Sequence, residues 1–328
     1  MNSKTENAKA NDVLNEHWAD IKEVGGSLWH FRFMLWMVCH LPLFLVELIT
    51  AVICFFFWIG AAPVRARSKN YLNHLAKASG KRPELLGTYK HVFSFALSMI
   101  EKLLGWRGAV TLNKIETQND DAQNMFDLLN RGEGAFCLCS HLGNIEMLRS
   151  LTGYGGFLTK KEFEVFPVID FSRTTKFNAL LRELNPDLMD HVIDANTIDA
   201  ETAVKMKEHI KDGNLVVIAG DRTSAYARER NIVTTFFGDK AKFPEGAFSL
   251  AGILNAPIYF IFAIRKKDFD IRSTYELHVV RAKTSLDCPR KERPERLKLL
   301  LSEYTELLER LCVKHPYQWY NFYNFWEG

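Results

Sequence analysis

The chain has 328 residues, of which 47% are hydrophobic and 25% are charged, and its formal net charge is +3. This length can bury a core of normal size in one large domain or two small ones. The small net charge argues against the wholesale nucleic-acid binding of a strongly basic protein. Six cysteines are scattered without framework spacing, which indicates reduced thiols in a cytoplasmic setting rather than a disulfide scaffold.

The N-terminal part divides into a polar or amphipathic tail over 1–32 and an apolar segment over 33–63, and a folded domain follows over 64–328. Only His40 and Glu47 are strongly polar in the apolar segment. A helix over 41–63 would extend about 35 Å, enough to cross a hydrocarbon layer of ~30 Å. Pro42 and Glu47 fall near one end, so we expect a membrane anchor that either spans the bilayer or dips into one leaflet. The alternative is a buried core helix.

The position of this segment predicts whether it is cleaved, and the charges on its two sides predict its orientation in the membrane. It begins some thirty residues into the chain, which argues against a cleaved signal peptide. Arg32 is the nearest basic residue before it, whereas six follow it closely, and this asymmetry places the following domain on the cytoplasmic side. The six are Arg65, Arg67, Lys69, Lys77, Lys81 and Arg82.

The rest of the chain alternates short apolar runs with longer amphipathic ones, which predicts an α/β fold with a mixed central sheet flanked by helices. β-branched and aromatic runs bounded by turn residues predict strands over 135–140, 164–169, 215–219, 257–263 and 275–280. Apolar residues at helical spacing predict helices over 175–184, 198–211, 245–254 and 293–313.

The run SHLGNIE, residues 140–146, follows directly after an apolar strand and precedes an amphipathic segment. His141 is therefore expected at the carboxyl end of a strand, where open α/β sheets bind their ligands. Gly143 allows a tight turn, and Asn144 can cap a helix whose first turn contains Glu146. A carboxylate on one imidazole nitrogen would leave the other free to take a proton from a hydroxyl.

A metal site is the alternative for the same region. Cys137, Cys139 and His141 recur every second residue, so on one strand they would share a face. Such a set, with an acidic ligand, would suit a metal-dependent hydrolase. Zinc sites usually draw their ligands from more convergent spacings, however, and buried small thiols are the simpler interpretation.

The pattern of His141, four residues and Glu146 resembles the signature of the lysophospholipid acyltransferase superfamily. Further blocks narrow the resemblance to the bacterial lipid A late acyltransferases and extend it over nearly the whole chain. These blocks are the HWADIKEVGGSLWHFR opening, GDR at 220–222, TFFGDKAKFPEGAFSLA at 235–251 and HPYQWYNFYNFW at 315–326.

The resemblance implies an O-acyltransferase in which His141 is the general base and Glu146 its partner. It further implies that Asp221 and Arg222 shape the site or the acyl pocket, and that Arg173 lies near the phosphate of the acceptor. FPEG, which includes Glu245 and Gly246, matches a phosphate-binding motif of glycerol-phosphate acyltransferases. Ala247, Phe248 and Ser249 follow it here instead of Thr-Arg-Ser, which puts the role of Glu245 in doubt.

The same resemblance implies an acyl thioester donor, either acyl carrier protein or acyl-CoA, and a membrane lipid acceptor such as a lipid A precursor. We expect no cofactor, no metal and no nucleic-acid partner, and a location at the inner membrane with the acyltransferase domain on the cytoplasmic side. Three basic groups are candidate docking sites for an acidic carrier protein. They are Arg228 with Arg230, Lys240 with Lys242, and Arg265 with Lys266 and Lys267. The rival function is a non-catalytic, membrane-anchored lipid-binding protein.

Overall fold

A computed structural model describes most of the chain. The described residues are 28–106, 115–118, 121–144, 159–170, 179, 183, 191–222 and 229–326. The predicted helix over 175–184 falls outside them except for Ala179 and Glu183.

The apolar segment forms two helices rather than one. Helix α1 covers Leu28–His40 and helix α2 covers Leu43–Gly60. The break falls at Pro42, because proline is tolerated at the start of a helix but not in its interior. Helix α2 has 18 residues with a mean hydropathy of 2.4 and is long and apolar enough to cross a membrane. The predicted boundary at residue 33 lies within α1.

Two further helices lead from this segment to the sheet. Helix α3 covers Ala62–Ser79 and α4 covers Gly87–Trp106. Val46, Thr50 and Cys54 form the buried stripe of α2, and α2 packs against α4. Arg67, one of the basic residues used to predict orientation, is buried in α3 and so is not part of a surface charge cluster.

A seven-stranded mixed sheet forms the centre of the described structure. Its strands are Ile115–Thr117 (β1), Ala135–Cys139 (β2), Val165–Ile169 (β3), Ile193–Asp194 (β4), Leu215–Ala219 (β5), Ile258–Arg265 (β8) and Tyr275–Arg281 (β9). They lie side by side in the order β1-β9-β8-β2-β5-β3-β4. The five strands from β8 to β4 in this order run parallel to one another, while β9 is antiparallel to β8 and parallel to β1.

Helices cover both faces of this sheet. The remaining described helices are Asp121–Asn130 (α5), Ala200–Lys211 (α6), Glu245–Leu254 (α7) and Arg293–Lys314 (α8). Side chains of α6, α7 and α8 share one core with alternate residues of the central strands. Helix α5 packs on the opposite face with Cys137 and Cys139. The alternation follows from the two-residue repeat of a strand, so both faces of β2 are apolar.

The mixed α/β fold, the five predicted strands and the helices corresponding to α6, α7 and α8 are confirmed. The helices α3, α4 and α5 were not predicted, and neither were the short edge strands β1 and β4. The same holds for an antiparallel hairpin of Asn231–Phe236 (β6) and Asp239–Pro244 (β7). In β7 the exposed Lys240 and Lys242 alternate with the buried Ala241 and Phe243, because one face of this strand packs on the core and the other is exposed.

Candidate active site

The register of two neighbouring parallel strands brings His141 and Asp221 together. Strand β2 pairs with β5 so that Ala135 lies opposite Leu215 and Cys139 opposite Ala219, a constant offset of 80 residues. Two residues beyond each strand, the same offset places His141 opposite Asp221. Both side chains therefore stand at the carboxyl edge of the sheet, where α/β proteins bind ligands.

The carboxylate of Asp221 makes two hydrogen bonds to His141. Its Oδ1 lies 2.8 Å from Nδ1 of the ring, and its Oδ2 accepts from the backbone N–H of His141 at 2.8 Å. Asp221 is buried, whereas about a third of the His141 side chain is exposed. With Nδ1 donating to the carboxylate, Nε2 is the nitrogen that can take a proton from a bound molecule.

The loop after β2 has a shape that only glycine allows at position 143. Gly143 has a φ of +74°, and a Cβ there would lie 2.1 Å from the carbonyl oxygen of Ala263. Its N–H donates to Gln318 O at 2.9 Å, and that of Asn144 donates to Ala263 O at 2.8 Å. The loop is thus held between the end of β8 and the C-terminal segment.

That C-terminal segment supplies three aromatic residues whose roles were not predicted. The indole N–H of Trp319 donates to Asp221 Oδ2 at 2.8 Å, and the hydroxyl of Tyr323 donates to Asp221 O at 3.1 Å. The backbone N–H of Tyr320 donates to His141 O at 2.9 Å. The signal available in the sequence was the aromatic HPYQWYNFYNFW block, because buried Trp and Tyr need hydrogen-bond partners.

The electrostatic environment keeps the imidazole neutral and the carboxylate ionised. Burial and the nearby cations Arg222 and Lys102 lower the pKa of His141, although Asp221 acts in the opposite direction. Burial alone would raise the pKa of Asp221, but His141, Arg222 and the hydrogen bond from Trp319 together lower it. A neutral imidazole oriented by a carboxylate can act as a general base.

The other predicted site residues are placed as follows. Arg222 is half-buried beside the pair, and its guanidinium donates to Tyr320 O at 2.8 Å. Glu245 begins α7, where its backbone N–H donates to Arg230 O, and Gly246 is exposed with open space where a Cβ would lie. Glu146 and Arg173 lie outside the described residues. The structure therefore brings together His141, Asp221 and Arg222.

The two thiols considered as metal ligands are buried among apolar side chains. Cys137 and Cys139 lie in the core between the sheet and α5. Burial raises the pKa of the Cys137 thiol far above its ordinary value, and metals bind the thiolate. The environment of these cysteines is that of packed, inert thiols.

The prediction that Arg265 belongs to a docking group for an acidic carrier protein is wrong. Arg265 is buried, and its guanidinium lies 2.7 Å from Glu101 Oε1 and 2.9 Å from Ser94 Oγ. A charge enclosed in this way cannot meet a partner, because burial of an arginine is stable only when it is paired and hydrogen-bonded. Lys240 and Lys242 are exposed on the hairpin.

Comparison with known proteins shows which family the chain belongs to. No match was found among curated proteins. The family model described as bacterial lipid A biosynthesis acyltransferase matches residues 22–327, which is nearly the whole chain. The matched region includes the His141 loop, Asp221 and the aromatic C-terminal segment. The chain therefore belongs to the bacterial lipid A biosynthesis acyltransferase family.

Proposed function

We propose that the protein transfers a fatty acyl chain from a thioester, carried by acyl carrier protein or CoA, to a hydroxyl of a lipid A precursor or a related membrane glycolipid. The observation that carries this proposal is the His141–Asp221 pair at the carboxyl edge of the sheet, in a chain of this family. Family membership supports lipid A acyltransferase activity in general, and the pair offers the base that such a transfer needs.

The proposed step needs no covalent enzyme intermediate. Nε2 of His141 takes the proton of the acceptor hydroxyl as the oxygen attacks the thioester carbonyl. The carbon–sulfur bond then breaks, and the thiolate leaves with the proton that His141 releases. Asp221 stabilises the transient imidazolium through Nδ1 and holds the ring in one tautomer.

Glu146 is the second candidate for the acidic partner, on the basis of its spacing from His141. The direct contact of Asp221 with Nδ1 supports Asp221 as the carboxylate that orients the ring. Arg222 and Arg173 are proposed to meet anionic groups of the substrates, since a guanidinium fork suits phosphate. Glu245 and Gly246 are proposed to line the substrate region at the start of α7.

We further propose that the protein is mounted on the cytoplasmic face of the inner membrane by α1 and α2. The outward side of α2 is apolar and exposed, including Leu48, Ile53 and Phe56. Its other side is tied to the domain along its length: Glu47 accepts from Ile271 N, Ala51 O accepts from Tyr89, and Trp58 donates to Thr88. A helix packed sideways on the domain in this way favours insertion into one leaflet over a full crossing.

The test is an acyl-transfer assay with the full-length protein in membranes, using acyl carrier protein thioesters and CoA thioesters as alternative donors and a lipid A precursor as acceptor. We expect mass spectrometry to show one added acyl chain with the wild type. The variant His141→Ala should lower turnover by about 10²–10⁴-fold while binding to membranes as before. Wild-type turnover in that variant would contradict the mechanism, and binding of lipid without transfer from either donor would favour the lipid-binding protein.

A further inference from the structure

A second cluster of ionisable side chains lies apart from the acyl-transfer pair. Glu276 and His278 are two residues apart on β9 and so share the face of the sheet that α8 covers. His315, directly after α8, completes the cluster. One ligand atom from each of the three lies within 4.8 Å of the other two.

Two of the three distances between these atoms match those around a tetrahedral metal ion, and the third is below 4.8 Å. Nε2 of His278 and Nε2 of His315 each lie 3.3 Å from Oε2 of Glu276. Zinc bonds imidazole nitrogen and carboxylate oxygen at 2.0–2.2 Å, so neighbouring ligands on a tetrahedron are about 3.3–3.4 Å apart. Two imidazoles and one carboxylate are also a ligand set that zinc uses with one open position.

The protonation states suit metal binding. Burial lowers the pKa of His278 and of His315, which favours the neutral rings that metals bind. An ion at Nε2 then requires the ring proton to move to Nδ1 or to leave. Burial acts to raise the pKa of Glu276, but Lys314 and His315 lower it overall and keep the carboxylate ionised. The Nδ1 of His315 lies 3.9 Å from Asp268 Oδ1, which is too long for the hydrogen bond that commonly orients a metal-bound histidine but places a carboxylate near the ring.

The ammonium group of Lys314 would compete with a metal ion for Glu276. Its Nζ lies 2.5 Å from Glu276 Oε2, and half of its side chain is exposed. A flexible, exposed lysine can turn into solvent when a divalent cation takes over the neutralisation of Glu276. The same carboxylate can therefore serve either an ammonium or a metal ion.

We propose that Glu276, His278 and His315 bind a divalent transition ion of the zinc type. The ion joins strand β9 to the start of the C-terminal segment, three to five residues before Gln318, Trp319 and Tyr320 reach the His141 loop and Asp221. Its role is structural: it fixes the segment that orients Asp221, and it takes no part in acyl transfer.

The experiment is a titration of the full-length protein in detergent, after removal of metals with a chelator, with Zn²⁺ followed by calorimetry and with Co²⁺ followed by its visible absorption. We expect one ion per chain, the intense Co²⁺ bands of four-coordination, and no comparable binding of Mg²⁺, which prefers oxygen ligands. Glu276→Gln, which keeps the shape of the side chain, and His315→Ala should each weaken Zn²⁺ binding by more than about 100-fold, beyond the 10–100-fold typical of outer-shell changes.

Two further variants separate a metal site from a simple ion-pair cluster. His191→Ala is the matched control, because His191 pairs with Glu164 at 3.1 Å in the same chemistry but belongs to no such triad among the described residues. It should leave Zn²⁺ binding unchanged. Lys314→Ala should tighten Zn²⁺ binding several-fold by removing the competing ammonium. Unchanged Zn²⁺ affinity in Glu276→Gln, or absence of stoichiometric binding in both the wild type and Lys314→Ala, would overturn the proposal.

Discussion

Within the described part of the chain, Asp221 accepts four hydrogen bonds through its carboxylate and backbone oxygens, from His141, Trp319 and Tyr323. This residue was predicted only to shape the site, as part of the GDR block, whereas Glu146 was predicted to be the partner of His141. The spacing of His141 and Glu146 is visible in the sequence because the two are close along the chain. The contact with Asp221 depends on the register of β2 and β5, which no local pattern specifies.

The variant Asp221→Asn should lower kcat by about 10²–10⁴-fold with little change in KM. The amide has one acceptor oxygen where the carboxylate has two, so it cannot serve all three N–H groups of His141 and Trp319 and no longer fixes the tautomer of His141. Initial rates of acyl transfer measure this, with near-ultraviolet circular dichroism to check folding. Asp239→Asn is the control, since Asp239 pairs with Lys77 and His74 at the surface. A full loss in Glu146→Gln combined with wild-type kcat in Asp221→Asn would reverse the assignment of the two carboxylates.

The pH profile of acyl transfer should report the environment of His141. Because its pKa is lowered from 6.5 and the neutral ring is the base, activity should stay level through neutral pH and fall only below pH 6.5. Arg222→Gln removes a cation that lowers this pKa, so the acidic limb of kcat/KM should move to higher pH. Asp221→Asn removes a group that raises it, so the limb should move to lower pH. If both variants shifted the acidic limb in the same direction, a group other than His141 would control it. The control variant Lys240→Gln should leave the limb where it is in the wild type.

At the scale of elements, residues 140–144 form a turn after β2 that β8 and the C-terminal segment hold in place. Leu142 forms a bridge with Trp319, and Gly143 packs against the backbone of Ala263. The prediction that Gly143 allows a tight turn is consistent with its positive φ. The need for glycine comes equally from the approach of β8, a long-range contact that the sequence does not show.

The variant Gly143→Ala should destabilise the fold and abolish transfer, because the new Cβ would meet Ala263 O at 2.1 Å and displace the His141 loop. Gly80→Ala is a matched control: Gly80 has a φ of +67°, yet no atom lies within 4 Å of the place of its Cβ. Its cost should be only the conformational one, about 1–2 kcal/mol. Urea unfolding gives both values, and equal costs would contradict the packing argument.

At the scale of the whole molecule, the sequence predicted the layers better than their connections. Strands β2, β5 and β8 are covered on both faces of the sheet, so their sequences are continuous apolar runs. Such runs are easily recognised in the sequence. Strand β4 has only two residues and the hairpin is half-exposed, so neither has an apolar pattern strong enough to predict a strand. Arg265 looked like part of a surface charge run, because sequence does not show that Glu101 of α4 lies opposite it.

The exposed face of α2 should control membrane attachment. Phe56 and Ile53 are 68% and 51% exposed, and burying a Phe or Ile side chain in lipid contributes about 1.5–3 kcal/mol. Replacing either by Asp should therefore reduce binding to lipid vesicles by at least about tenfold, measured by co-sedimentation. Val233→Asp is the control, because Val233 is as exposed but lies on the hairpin, away from α2. Equal losses in all three variants would contradict the assignment of the membrane face.

Both ends of α2 should face the same side of the bilayer. The helix contacts the Ile271 turn near its beginning and Thr88 of α4 near its end, so a full crossing would draw the side of the domain, with Lys90 and Arg272, into hydrocarbon. Single cysteines at Phe44 and at Gly60, with Cys39 and Cys288 replaced by serine, should react with an impermeant maleimide from the cytoplasmic side only. Labelling of the two positions from opposite sides would show that α2 spans the membrane, and the packing of α2 on α4 would then have to open in the bilayer.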